Sequence, residues 1–194
     1  MIDIEVFERH LTTKWVPRDC LLLEQTDSTN NYAKNPPRDL VQGSLILANY
    51  QLKGRGQSGK SWFGDAHKNL YFSIFTKPLR TEGLFLLSLI SAHSIIESIR
   101  SYHLAHPLMN QLKIKWPNDV YIGEHKIAGI LTENIFHGGF LKGSVIGTGW
   151  NIDQDHYPPN LKYKASSLRL LFAETWIREE LLARCLNFFE HYYS

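Results

Sequence analysis

The sequence predicts an α+β fold with a largely antiparallel sheet, and two observations carry that reading. Its short strand-forming runs are joined mostly by hairpin signals, and its helix-periodic segments stand apart from them, at both ends and in the middle of the chain. "SLILANY" (Ser44 to Tyr50) and "NLYFSIFT" (Asn69 to Thr76) are apolar runs rich in β-branched and aromatic residues, hence strands. From Glu82 to Tyr102, Leu86, Leu87, Ile90, Ile95, Ile96 and Ile99 recur near helical spacing behind Thr81 as an N-cap, which predicts a long buried helix. "LKIKW" (Leu112 to Trp116) alternates as a strand, and "DVYIGEHKIAGILTEN" predicts a hairpin turning at Gly123-Glu124. "FLKGSVIGTGWNID" continues as a strand after a Gly138-Gly139 turn. The tail from Ser166 to Tyr193 is helical with a break near Phe172 to Thr175, and Leu181, Leu182, Cys185, Leu186 and Phe189 form its apolar stripe.

One domain over residues 1–194 is expected, because 194 residues suffice for one buried core and no composition shift divides them. Hydrophobic content of 43% with 21% charged residues excludes disorder, and a net charge of +2 is too small to draw nucleic acid. Any anion must therefore be held by local placement of Lys, Arg and backbone N–H groups. Cys20 and Cys185 stand far apart in no metal or redox spacing and read as reduced core residues. The opening "MIDIEVFERH" carries Asp3 and Glu5 where a signal peptide needs basic then apolar residues, and no run approaches a membrane span, so a cytoplasmic protein is expected. His103 and His106 lie three apart without an acidic companion, a surface arrangement rather than a metal site.

"GRGQSGKSW" (Gly54 to Trp62) fits the phosphate-cradling pattern G-x-x-x-x-G-K-[ST]. A P-loop works by leading from a strand into a helix whose N-terminal amides face the phosphates. Here "SWFGDAHKNLYFSI" follows, with Gly64, Asp65 and a strand pattern, and no apolar strand ends clearly in a magnesium-holding acid; Glu133 of "GILTEN" is the nearest. The loop runs from strand to strand, which excludes a P-loop and leaves an anion-binding turn or a plain flexible one.

Four further motifs decide between these. "DSTN" (Asp27 to Asn30) precedes a short helix, "KWPND" (Lys115 to Asp119) ends a strand, "KIAGIL" (Lys126 to Leu131) opens one, and "GTGWN" (Gly147 to Asn151) ends another. With "YQLKGRGQSGKSW", this ordered set resembles the biotin protein ligases, closely from Asp27 to Ile152 and loosely in the C-terminal helices. The resemblance implies a mixed, largely antiparallel sheet flanked by helices, the class II synthetase-like catalytic fold of biotin and lipoate ligases. It also implies a two-step reaction: biotin and ATP give biotinyl-5′-AMP and pyrophosphate, and a lysine of a biotin carboxyl carrier protein then takes the biotin.

By resemblance, Ser28, Thr29, Asn30 and Gln51 bind the ureido head of biotin, which offers one carbonyl and two N–H groups; Ser28 or Asp27 could instead be a helix cap. Arg55, with Gly54, Gly56 and Gln57, meets the biotin carboxylate and the α-phosphate, and Lys126 reaches both, beside Gly129. Arg55, Lys126 and Asp119 are the catalytic set. Lys60, Lys115, Asn118 and Asn151 serve ATP, Trp62 packs on adenine although a core role is open to it, and Asp119 is the partner of Mg²⁺.

Where many relatives read GRGRxGRxW, this chain has Gln57 and Lys60, so faster escape of biotinyl-AMP is expected. Only 26 residues precede Asp27, fewer than the roughly 40 an independent domain needs, so no winged helix and no DNA partner are expected. The small C-terminal barrel of relatives is expected to be absent or trimmed after Ser194. A lipoate ligase of the same fold is the rival reading, and a non-catalytic biotin- or carrier-binding module is another; a homodimer formed through the sheet is left open.

Overall fold

A computed structural model describes residues 2–78, 81–102, 105–159, 161 and 164–194. Among them, helices α1 (Ile4–Arg9), α2 (Thr29–Lys34), α3 (Leu86–Tyr102), α4 (Leu168–Phe172) and α5 (Arg178–Tyr193) accompany seven strands. The strands are β1 (Asp19–Thr26), β2 (Ser44–Gln51), β3 (Leu70–Thr76), β4 (Leu112–Lys115), β5 (Asp119–Ile122), β6 (His125–His137) and β7 (Phe140–Trp150). They form one sheet in the order β1-β2-β3-β7-β6-β5-β4, antiparallel throughout except for the parallel pair β1 and β2. This is the mixed, helix-flanked sheet that the sequence predicts.

Both predicted hairpins are present. Gly123 turns β5 into β6, and Gly138 and Gly139 turn β6 into β7, all three in the left-handed region that glycine enters without steric cost (φ 57°, 56° and 83°). The C-terminal stripe of Leu181, Leu182, Cys185, Leu186 and Phe189 is buried as predicted. The long helix starts later than Glu82. Gly83 takes φ 78°, and turns bonded from Leu86 N–H to the Gly83 carbonyl and from Leu87 N–H to Leu84 precede Leu86, so Thr81 caps nothing. The edge strand β1 escapes the sequence reading because "DCLLLEQT" shows no clean alternation: its side chains are half-buried or exposed without period. Cys20 lies on this strand and is exposed, which corrects its assignment to the core. Desolvation by the surrounding protein, with the charges of Asp19 and Glu8, pushes its thiol up to about 11, and burial pushes that of Cys185 up to about 12, so neither is a ready nucleophile.

The two faces of the sheet differ. Leu45 and Leu47 of β2, Leu70, Phe72 and Ile74 of β3, Ile146 and Trp150 of β7, and Ala128 and Ile130 of β6 point into the main core with α1, α3 and α5. Period-2 alternation sends Ile46, Phe75, Val145 and Ile135 to the opposite face, into a small cluster under α2 with Ala33 and Leu40. The strand residues adjacent to that cluster on the same face include Ser73, Gly147, Gly149, Gly129 and Glu133. The large core holds the sheet rigid, and the small one leaves room beside it for a site.

His103 lies outside the described residues. His106 is accounted for as a helix cap, its Nδ1 accepting the Leu108 N–H at 3.2 Å. Among the described residues no helix is long and apolar enough to cross a membrane.

Candidate active site

The row of residues that pair Ser73 with Gly147 and Gly147 with Leu131, and the next row that pairs Asp119 with Gly129 and Gly129 with Gly149, form the floor of a cleft. Its walls are the start of α2, the glycine loop after β2 and the beginning of β6, and its volume is about 710 Å³ counted out to the open mouth. Ser28, Thr29, Asn30, Gln51, Arg55, Gly56, Gln57, Lys60, Trp62, Asn118, Asp119, Lys126 and Gly129 all border it. They come from positions up to a hundred residues apart.

Glycines on the floor are required by what lies over them. A Cβ on Gly147 would stand 2.0 Å from Asn30 Oδ1, and one on Gly149 would stand 2.4 Å from the Trp62 ring. A Cβ on Gly129 would meet both Trp62, at 2.8 Å, and Lys126 Nζ, at 3.1 Å. Trp62 therefore lies across a shelf made by Gly129 and Gly149, with its Nε1 buried and unbonded.

The α2 end is neutral and buried. Thr29 donates its N–H and its hydroxyl to Gln51 Oε1, at 2.8 and 3.3 Å, and accepts from Ser73 Oγ at 2.8 Å. Both Asn30 donors are engaged: Nδ2 donates to the Leu131 carbonyl at 3.0 Å and to Glu133 Oε2 at 2.9 Å, and Oδ1 accepts from Ser73 at 2.7 Å. Ser28 occupies the N-cap position of α2, yet its side chain makes no capping bond. Its hydroxyl is thus available to the cleft, as is the amide group of Gln51 Nε2. Of the three residues "STN", all of which border the cleft, Ser28 keeps its hydroxyl for a ligand, whereas Thr29 and Asn30 have their donors engaged within the protein and offer only acceptor lone pairs.

Cations flank this neutral group, Lys126 across the cleft and Arg55 and Lys34 against α2 itself. Lys126 Nζ pairs with Asp119 Oδ1 at 2.7 Å and stands 5.3 Å from the centre of the Trp62 ring. Arg55 donates from one guanidinium nitrogen to Asn31 Oδ1 at 2.5 Å and from the other to Glu133 Oε1 at 3.1 Å. Lys34 Nζ shares that same oxygen at 2.7 Å. Burial pushes the Glu133 carboxyl up, but the bonds from Lys34 and Asn30 and the charges of Lys34 and Arg55 outweigh it and hold it below the ordinary value. The Lys60 and Gln57 side chains are exposed and make no hydrogen bond or ion pair among the described residues. Asn118 uses Nδ2 on the Ile130 carbonyl and accepts the Ile130 N–H on its own carbonyl, which leaves Oδ1 for a ligand.

The glycine loop is a small closed hairpin. Gly56 N–H donates to the Lys60 carbonyl at 2.7 Å, Trp62 N–H to the Gly54 carbonyl at 2.8 Å, and one 3₁₀ turn spans Gln57–Gly59. No helix follows Lys60, in keeping with the rejection of a P-loop. The Gly56 amide is spent in this closure, and Gly54 is buried against Trp62 outside the cleft lining. Lys115 also lies outside it, over the Tyr121 ring at 5.2 Å, and so does Asn151, whose Nδ2 donates to the Ser166 carbonyl at 3.1 Å. Sequence reasoning missed Asn31 and Lys34 entirely and weighed Glu133 only as a magnesium acid; the i, i+2 alternation from Gly129 through Leu131 is the signal that places Glu133 on the cleft face.

Fold and cleft together set buried neutral hydrogen-bonding groups beside a set of cations. The chain belongs to the biotin/lipoate A/B protein ligase family, whose model matches residues 22–151. It is 33% identical over 135 residues to the bifunctional ligase/repressor BirA of Escherichia coli, covering 68% of this chain and 40% of that protein. With the bifunctional ligase/repressor BirA of Bacillus spizizenii it shares 30% identity over 195 residues, 99% of this chain and 56% of the relative. The structure of the biotin protein ligase from Aquifex aeolicus in complex with biotin and ATP matches with a TM-score of 0.76 at 29% identity, over 90% of this chain and 69% of that one. The chain thus spans about half the length of the curated relatives it matches.

Proposed function

We propose that this chain is a biotin–[biotin carboxyl-carrier protein] ligase, which activates biotin with ATP and passes it to a lysine of a biotin carboxyl carrier protein. The observation that supports this best is one cleft that sets the buried neutral hydrogen-bonding groups of Ser28, Thr29 and Gln51 beside the cations Arg55 and Lys126. In the first step a carboxylate oxygen of biotin attacks the α-phosphorus of ATP, and pyrophosphate leaves. In the second, the carrier's lysine amine attacks the carbonyl of the anhydride, and AMP leaves with the bonding pair.

Ser28, Thr29 and Gln51 would meet the ureido group, and Arg55 and Lys126 the carboxylate and α-phosphate. Two anions repel as they approach, so the value of Lys126 and Arg55 is greatest where charge accumulates in the transition state. Lys60 and Asn118 would take the remaining phosphates, and Trp62 the adenine. Asp119 borders the cleft and faces Lys126 at 2.7 Å, and it suits a Mg²⁺ that arrives with the phosphates of ATP and needs few protein ligands. That ion would neutralise phosphate charge when bound.

Two unpaired cysteines accord with work in the cytoplasm. DNA and membrane are not partners in this reading. A homodimer is part of the proposal: β6 runs to His137 beyond its last β5 partner at Gly129, leaving an edge on which a second copy could pair, and sedimentation at rising concentration would reveal it.

ATP–pyrophosphate exchange tests the central claim. Exchange dependent on biotin is expected; exchange with lipoate alone would move the chain to the lipoate branch, and exchange with neither would end the enzyme reading.

A further inference from the structure

The cluster around Glu133 has a geometry that the reaction above does not use. Its carboxylate, on the cleft face of β6, binds three side chains from two other elements: Asn30 and Lys34 of α2, and Arg55 of the glycine loop. Asn31, also on α2, takes the second guanidinium nitrogen. A planar guanidinium fixed at two of its nitrogens has its plane set, whereas an arginine on an open loop would sample many rotamers. The charge balance is equally particular. Lys34 and Arg55 share the single carboxylate of Glu133, so a net positive charge remains at the cleft mouth.

We propose that Glu133 is a positioning residue for the first step, holding Arg55 with Asn31 at the cleft mouth and tying the glycine loop to α2. Lys34 supplies the surplus charge that keeps Arg55 attractive to a carboxylate or phosphate instead of neutralised. This inference rests on the ligase reading for its catalytic meaning, while its structural content stands apart.

Two measurements separate the two. Hydrogen exchange reads the loop without any substrate: in Glu133→Gln the Gly56 and Trp62 amides should exchange about tenfold faster, with the amides of β2 and β3 unchanged. In ATP–pyrophosphate exchange, Glu133→Gln should raise the KM for biotin about tenfold with a smaller change in kcat, and Glu133→Asp should restore part of it. In an Arg55→Ala background the same substitution should add nothing further, because two residues that act through one contact are not additive. Should Glu133→Gln fail to fold, Asn31→Ala removes the other anchor without touching the half-buried carboxylate and should shift loop exchange and KM in the same direction. Unchanged loop exchange, or KM effects of Glu133 and Arg55 that multiply, would overturn the proposal. A wild-type protein without nucleotide exchange would count against the ligase reading, and loop exchange would still decide the positioning.

Discussion

Two groups of residues in the cleft, one neutral and buried and one charged, are built on opposite principles. At the α2 end, Ser28, Thr29 and Asn30 are each 3% exposed and carry no charge, and their bonds to Gln51, Ser73, Leu131 and Glu133 are made before any ligand arrives. Around them the polar groups are charged, and Arg55 and Lys60 are exposed while Lys126 is half-buried. A neutral head group can be recognised only by donors and acceptors already in place, since each unmatched buried bond costs on the order of 1–3 kcal/mol. Charge acts over a longer range and tolerates looser placement, so the cationic end can sit on a glycine loop.

The largest effect should fall at the cationic end. Lys126→Ala is expected to lower the rate of biotin-dependent pyrophosphate exchange by roughly 10²–10³-fold, the range for loss of one preorganised donor, with the melting temperature little changed. A loss of less than threefold would mean that Lys126 merely balances Asp119.

Next, a contrast within the neutral end sharpens the comparison. Asn30→Ala leaves Ser73, the Leu131 carbonyl and Glu133 each short of a partner and should cost about 1–3 kcal/mol in denaturant unfolding. Ser28→Ala removes a hydroxyl that holds nothing in the protein. It should leave stability unchanged and weaken biotin binding about tenfold by calorimetry, the weight of one hydrogen bond. Equal stability losses in the two variants would remove the distinction between a structural and a ligand-facing residue.

A smaller change is expected at Gln57, whose side chain reaches the cleft and binds nothing. Gln57→Arg should slow the dissociation of biotinyl-AMP a few-fold, about the effect of one exposed charge pair. Release at the native rate would show that retention is set elsewhere.

The least effect is that of pH. Because the Glu133 carboxyl is held below its ordinary value of 4.5, its contribution to stability is present above that value and lost as the pH falls through the lower folded-state value. The stability difference between wild type and Glu133→Gln should therefore be constant at neutral pH and shrink below about pH 4.5. A difference that grew on acidification would reverse the assignment.

Much of the site was legible in one dimension. Thirteen residues read from motifs border the cleft, because the short segments that carry them end strands or begin a helix on the same face of the sheet. Lys115 and Asn151 fell outside for a reason that motifs do not express. Lys115 lies where "KWPND" is still strand and its side chain rests on Tyr121, while Asn151 is drawn under Ser166 by the chain after β7. Strand β1 was illegible because an edge strand half in water has no alternation to read.

By itself, the sequence determined the local elements and the chemical inventory. The 3.6 and 2 periodicities place α3, α5 and the β5-β6-β7 meander, and the strand after Lys60 excludes a P-loop, since these depend on neighbours along the chain. Only the tertiary structure decided which partners meet: Glu133 with Arg55, Asn30 and Lys34, and Trp62 over the shelf of Gly129 and Gly149. Those contacts join residues separated by dozens of positions, and register across the sheet brings them together, a quantity fixed by the packing of both faces and carried by no local pattern.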